Sequence, residues 1–70
     1  MSKVISTMAG NVWKILVSVG DQIEEGQNVV ILESMKMEIH IAAEKSGTVK
    51  EIKINESEFV NEGDVLIELE

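Results

Sequence analysis

Val29-Val30-Ile31-Leu32-Glu33-Ser34-Met35-Lys36-Met37-Glu38-Ile39 lies across the middle of a 70-residue chain. The first four residues form an apolar run, as expected of a strand buried on both sides or pressed between sheets. Beyond the lysine the pattern becomes alternating, with Ile39, Ile41 and Ala43 on the apolar beat. Two successive strands need a reversal between them, and reversals normally use Gly, Asn, Asp or Pro. Here the reversal falls on Glu33-Ser34-Met35-Lys36-Met37, which has none of these. Local rules are often broken where function outweighs ideal turn chemistry. A lysine at a hairpin tip is also easy for another protein to reach and modify.

Outward from this stretch the chain keeps a period of two. Val4, Ile5 and Thr7 predict a first strand, and Val12, Ile15, Leu16 and Val17 a second. Val49, Ile52 and Ile54 predict another, and Val65 to Leu69 the last. Gly10, Gly20-Asp21, Glu25-Gly26, Ser46-Gly47 and Glu62-Gly63-Asp64 read as turns between these runs. No window holds helical spacing for two turns, and Glu56 to Phe59 could form one turn at most. The expectation is an all-β chain of seven or eight short strands.

An internal repeat organises those strands. Shifted by 37 positions, residues 9–33 lie over 46–70 without a gap. Gly10 meets Gly47, Val12 meets Val49, Ile23 meets Val60, Glu25-Gly26 meets Glu62-Gly63, and Leu32-Glu33 meets Leu69-Glu70. These turn glycines and core-type apolar positions are the ones that set a backbone. Two halves with one plan would each leave an apolar face wet. Packed face to face, they give a small sandwich or flattened barrel with an approximate twofold axis. The central hairpin is then expected at one end and the termini near the other.

Composition limits what such a chain can be. Seventy residues make one domain, expected to span residues 1–70, with one small core that hides about 60% of the unfolded surface. There is no cysteine, so neither a disulfide nor a thiolate metal site can help it fold. No apolar run approaches the ~20 residues of a membrane helix, and the start is not a signal peptide. A cytoplasmic protein is expected. The formal net charge of −7 argues against nucleic acid and anionic membranes as partners. His40 is the sole histidine, so a metal site is not expected. No serine has a histidine-based triad, and no carboxylate pair stands out for acid–base work. Trp13 and Phe59 are the two aromatics, and Trp13 is expected to be partly core.

Lys36 is therefore the residue with chemistry to offer. An ordinary lysine, with a pKa near 10.4, is a poor nucleophile at neutral pH. Activated ones sit in apolar pockets or beside another cation. The sequence neighbours of Lys36 include the acids Glu33 and Glu38 instead. The residue reads as a substrate that another enzyme acylates, and afterwards as a flexible tether. Met35 and Met37 suit recognition, because methionine adapts to a partner surface. On the tripeptide alone they could equally be core fillers on a strand.

The wider pattern resembles the biotinyl/lipoyl attachment domain family over essentially the whole chain. Glu33-Ser34-Met35-Lys36-Met37 resembles the Ala-Met-Lys-Met core of its biotin carriers, preceded by Glu. Val19-Gly20-Asp21-Gln22-Ile23-Glu24-Glu25-Gly26 resembles its approach segment, and Met8-Ala9-Gly10-Asn11-Val12 its opening one. Ile41-Ala42, Gly47-x-Val49 and Glu62-Gly63-Asp64 resemble its later segments. The resemblance implies a flattened β-barrel of two four-stranded antiparallel sheets with the lysine on an exposed hairpin. It implies biotin joined to Lys36 by a biotin protein ligase, with Met35 and Met37 as recognition residues and Glu33 and Ser34 as weaker ones. The biotin would accept a carboxyl group at a biotin carboxylase and deliver it at a carboxyltransferase. The chain would be a carrier and not itself an enzyme, monomeric when free.

Departures from the pattern leave alternatives. Ser34 replaces the usual Ala and matches lipoyl domains, which suggests a lipoyl carrier, served by a lipoyl ligase, or an acceptor of both groups. Ser57 stands where the repeat expects Gly, and Ala9 where Pro is common. A reading of another class is an unmodified β-sandwich interaction module with Lys36 as an ordinary surface residue.

Overall fold

Eight strands carry the alternating pattern into a computed structural model, which describes residues 2–70. They are β1 (Ser2–Ile5), β2 (Gly10–Ile15), β3 (Gln22–Ile23), β4 (Asn28–Ser34), β5 (Met37–Ala42), β6 (Gly47–Ile52), β7 (Phe59–Val60) and β8 (Val65–Leu69). All pairings are antiparallel. One four-stranded sheet runs β1-β8-β6-β3 and the other β5-β4-β2-β7. Their inner faces share a single core, to which the repeat contributes in pairs. Val12 and Val49, Ile23 and Val60, and Leu32 and Leu69 are all buried. The apolar run Val29–Leu32 is buried throughout, so β4 is covered on both faces.

The 37-residue shift carries β2 onto β6, β3 onto β7 and β4 onto β8, so the twofold exchanges the sheets. Individual hydrogen bonds repeat. Gly20 donates its N–H to the Val49 carbonyl at 2.8 Å, and Ser57 donates to that of Val12 at 2.7 Å. Val49 donates to Asp21, and Val12 to Glu58, both at 2.8 Å. Both copies bulge at the equivalent place in their first long strand, at Trp13 in β2 and Lys50 in β6.

The structure corrects several expectations. The halves do not each form one sheet. Gly20, at a φ of 95°, helps turn the chain across the sandwich, so β3 pairs with β6 of the other half, and β7 correspondingly with β2. Gly10 and Gly47 open strands and are not turns, since each lets a neighbouring strand approach where a side chain would collide. Thr7, Leu16, Val17 and Ile54 lie outside the strands predicted for them. Val17 and Ile54 still bury their side chains from the loops, whereas Leu16 is exposed. Trp13 is not core: the bulge presents it outward, 45% exposed, with the Lys14 ammonium 5.5 Å from its ring centroid. Ser2 pairs with Leu69, bringing the ends of the described chain together.

Candidate functional site

The hairpin between β4 and β5 closes on two residues. Glu33 pairs with Glu38 and Ser34 with Met37, leaving Met35-Lys36 as the whole loop. Their φ angles are 52° and 64°. Two consecutive left-handed residues are the signature of a type I′ turn, whose twist matches the flanking strands. Asn-Gly is the usual occupant because a Cβ in this region costs roughly 1–2 kcal/mol per residue. Met35 and Lys36 bear that strain without a glycine.

The base of the hairpin is braced against it. β4 is paired on both sides and buried along Val29–Leu32. Gly10 lies against the root, where a Cβ would stand 3.0 Å from the Glu33 carbonyl oxygen. The strained turn therefore projects from an anchored strand, and its tip is open to solvent. Met35 is 92% exposed and Met37 63%, so neither is a core filler. Lys36 is exposed as well, and among the described residues no acid forms an ion pair with it. Glu33 and Glu38 are exposed opposite one another at the root, and Ser34 is half-buried beneath the turn.

All five residues predicted for the site are thus brought together. The arrangement offers one amine, reachable from outside, with two thioether side chains beside it. An activated acyl group delivered by a partner fits this donor. His40 lies further down β5 and accepts a hydrogen bond at Nδ1 from the Asn28 amide at 3.1 Å. It takes no part in the tip.

Sequence reasoning overlooked an open groove beside the tip. Ala9, Asn11, Glu33, Ser34 and Phe59 line it together with Lys36 and Met35. Cross-strand register builds it, since Phe59 on β7 pairs with Asn11 on β2, which pairs with Glu33 on β4. The available signal was the repeat itself, which sets Phe59 against Gln22.

A family model described as "Biotin-requiring enzyme" matches residues 1–69. A biotin/lipoyl attachment protein of Bacillus subtilis is 69% identical over 62 residues, covering 89% of this chain and 85% of that protein. A biotin carboxyl carrier protein of Streptococcus mutans is 48% identical over 60 residues, covering 86% of this chain and 46% of that one. The crystal structure of Kluyveromyces lactis urea carboxylase superposes on 94% of this chain with a TM-score of 0.87 and 36% identity, using 6% of its own length.

Proposed function

The chain belongs to the biotinyl/lipoyl attachment family, and we propose that Lys36 is the residue through which it carries its group. The protein is a biotin attachment carrier, like the carrier relatives it matches. The observation that carries Lys36 is its place in a solvent-exposed type I′ turn built without glycine or asparagine. When attached, biotin supplies a ureido nitrogen that can hold and release a carboxyl group. The residues of this chain do the rest. Lys36 forms the amide, Met35 and Met37 give a ligase its apolar grip, and Glu33 and Ser34 complete the recognised surface. With Lys36 as the neutral amine, one proton having already been removed, the bond joins its Nζ to the carboxyl carbon of an activated biotin, the activating group leaves with the electron pair of the broken bond, and the nitrogen gives up a second proton.

The matched urea carboxylase carries its equivalent region as a small part of a long chain. That supports a biotin carboxylase and a carboxyltransferase as the two sites between which this carrier moves. Ser34 motivates lipoate as a second cargo, but the carrier and carboxylase relatives favour biotin.

Incubating the protein with a biotin ligase, ATP and biotin should add one biotin mass. Lys36→Arg should remain unmodified while keeping its fold. An unmodified wild-type mass beside a positive control for the ligase would sink the reading. Intact mass of protein from its native cells would separate biotin from lipoate and from no modification at all.

A further inference from the structure

The hairpin gathers oxidisable sulfur around its amine. The chain has four methionines and no cysteine, so no thiol of its own competes for an oxidant. Three of the methionines lie among the described residues, and two of these flank Lys36. Met35 is the most exposed large apolar side chain described, and Met37 is also mostly open to solvent. Met8 is 40% exposed, against 92% for Met35. The turn leaves Met35 almost nothing to pack against, and its left-handed backbone favours a residue without a Cβ. The fold therefore neither needs these two thioethers nor shields them. Their sulfur atoms are open to any small oxidant that reaches the surface.

We propose that Met35 and Met37 form a modification site for peroxides, and that their conversion to sulfoxides closes Lys36 to loading. The proposal rests on the attachment reading above, in which the two thioethers give a ligase its apolar grip. In the step, a sulfur lone pair attacks one peroxide oxygen and the O–O bond breaks. The other oxygen leaves with the bonding pair and takes up the proton of the attacked one. Hydrogen peroxide thus yields a sulfoxide and one water; sulfur is oxidised by two electrons and the peroxide is reduced by two. The product side chain is polar and chiral where the ligase meets an adaptable apolar one. Burying that oxygen without a hydrogen bond should lower the ligase's kcat/KM by about tenfold. The fold should not register the change, because neither side chain is core. Methionine sulfoxide reductases reverse it, one enzyme for each sulfoxide epimer. An amide already formed at Lys36 contains no oxidised atom, so the site governs entry of the carried group and not its retention.

The experiment treats the unloaded whole chain with hydrogen peroxide and maps the added oxygen by peptide mass. Met35 and Met37 should oxidise ahead of Met8. Protein carrying both sulfoxides should keep its urea midpoint but lose about tenfold or more in kcat/KM with a biotin ligase. Reductases of both epimer specificities should restore the rate. In Met35→Leu/Met37→Leu, which keeps apolar side chains without sulfur, peroxide should leave loading unchanged. A doubly oxidised carrier that loads at the untreated rate would overturn the proposal while leaving attachment intact, and so would Met8 oxidising first. An equal loss on peroxide treatment of the leucine variant would place the effect elsewhere and overturn it as well. Should that variant not load at all, recovery of the wild type by the reductases, with Met8 unoxidised, decides alone. Untreated wild type that gains no biotin mass beside a working ligase would overturn the attachment reading and this site with it.

Discussion

At the scale of single residues, three side chains among the described residues occupy backbone that favours glycine: Met35, Lys36 and Ser57. Gly20 takes the equivalent place of Ser57 at a φ of 95°, against 76° for the serine. Ser57→Gly should therefore stabilise the fold by about 0.5 kcal/mol, the relief of left-handed strain outweighing glycine's greater freedom when unfolded. Chemical denaturation would measure it, and modification of Lys36 should be unchanged. Met35→Gly should also stabilise, by about 1 kcal/mol. It should lower the ligase's kcat/KM by about tenfold, because an exposed thioether available to the partner is lost. Stability and recognition then move in opposite directions at one residue, whereas at Ser57 stability moves alone. The sequence made the broken turn rule at Met35-Lys36 visible, since neither residue is a turn former. It could not show that the turn is type I′, because that depends on the Ser34–Met37 pairing. Trp13 was misread because an aromatic on a strand usually packs inward, and only the bulge shows that this one does not.

At the scale of elements, β4 holds the site and β2 supports it. Gly10 and Gly47 make the same approach in the two copies, with a built Cβ 3.0 Å from the Glu33 oxygen and 3.1 Å from the Glu70 oxygen. Gly10→Ala must displace backbone that is fixed between β2, β5 and the hairpin root. A loss of about 1–3 kcal/mol is expected in denaturation, as for other overpacked sites. It should also slow ligation, because the displaced carbonyl belongs to the residue two before Met35. Gly47→Ala should leave ligation unchanged, since the strand it crowds does not lead into the hairpin. Comparing the two variants separates general destabilisation from movement of the tip. Strand positions were largely legible because β-branched residues recur at period two, and β8 matches its predicted span. Glycines were misassigned as turns because close approach between strands and a left-handed turn both select glycine, and sequence does not distinguish them.

At the scale of the molecule, the core is a single cluster shared between the copies. Leu32 and Leu69 are equivalent and both buried. Leu32→Ala and Leu69→Ala should each destabilise by about 3 kcal/mol. A chain of this size has about 4–10 kcal/mol in total, so either variant should sit near its limit in urea. The repeat predicted two equivalent halves but not their interleaving, because equivalence does not say which copy's sheet a short strand joins. That interleaving bears on how the fold could arise. Two identical half-length chains could close the same pair of sheets by exchanging their short strands, as a symmetric dimer. Fusing them end to end removes the dependence of folding on concentration. It also removes the obligation to be the same at both ends. The two copies are then free to differ, and this chain exposes Gln22 on one short strand and Phe59 on its counterpart, so a nearly symmetric shape has a front.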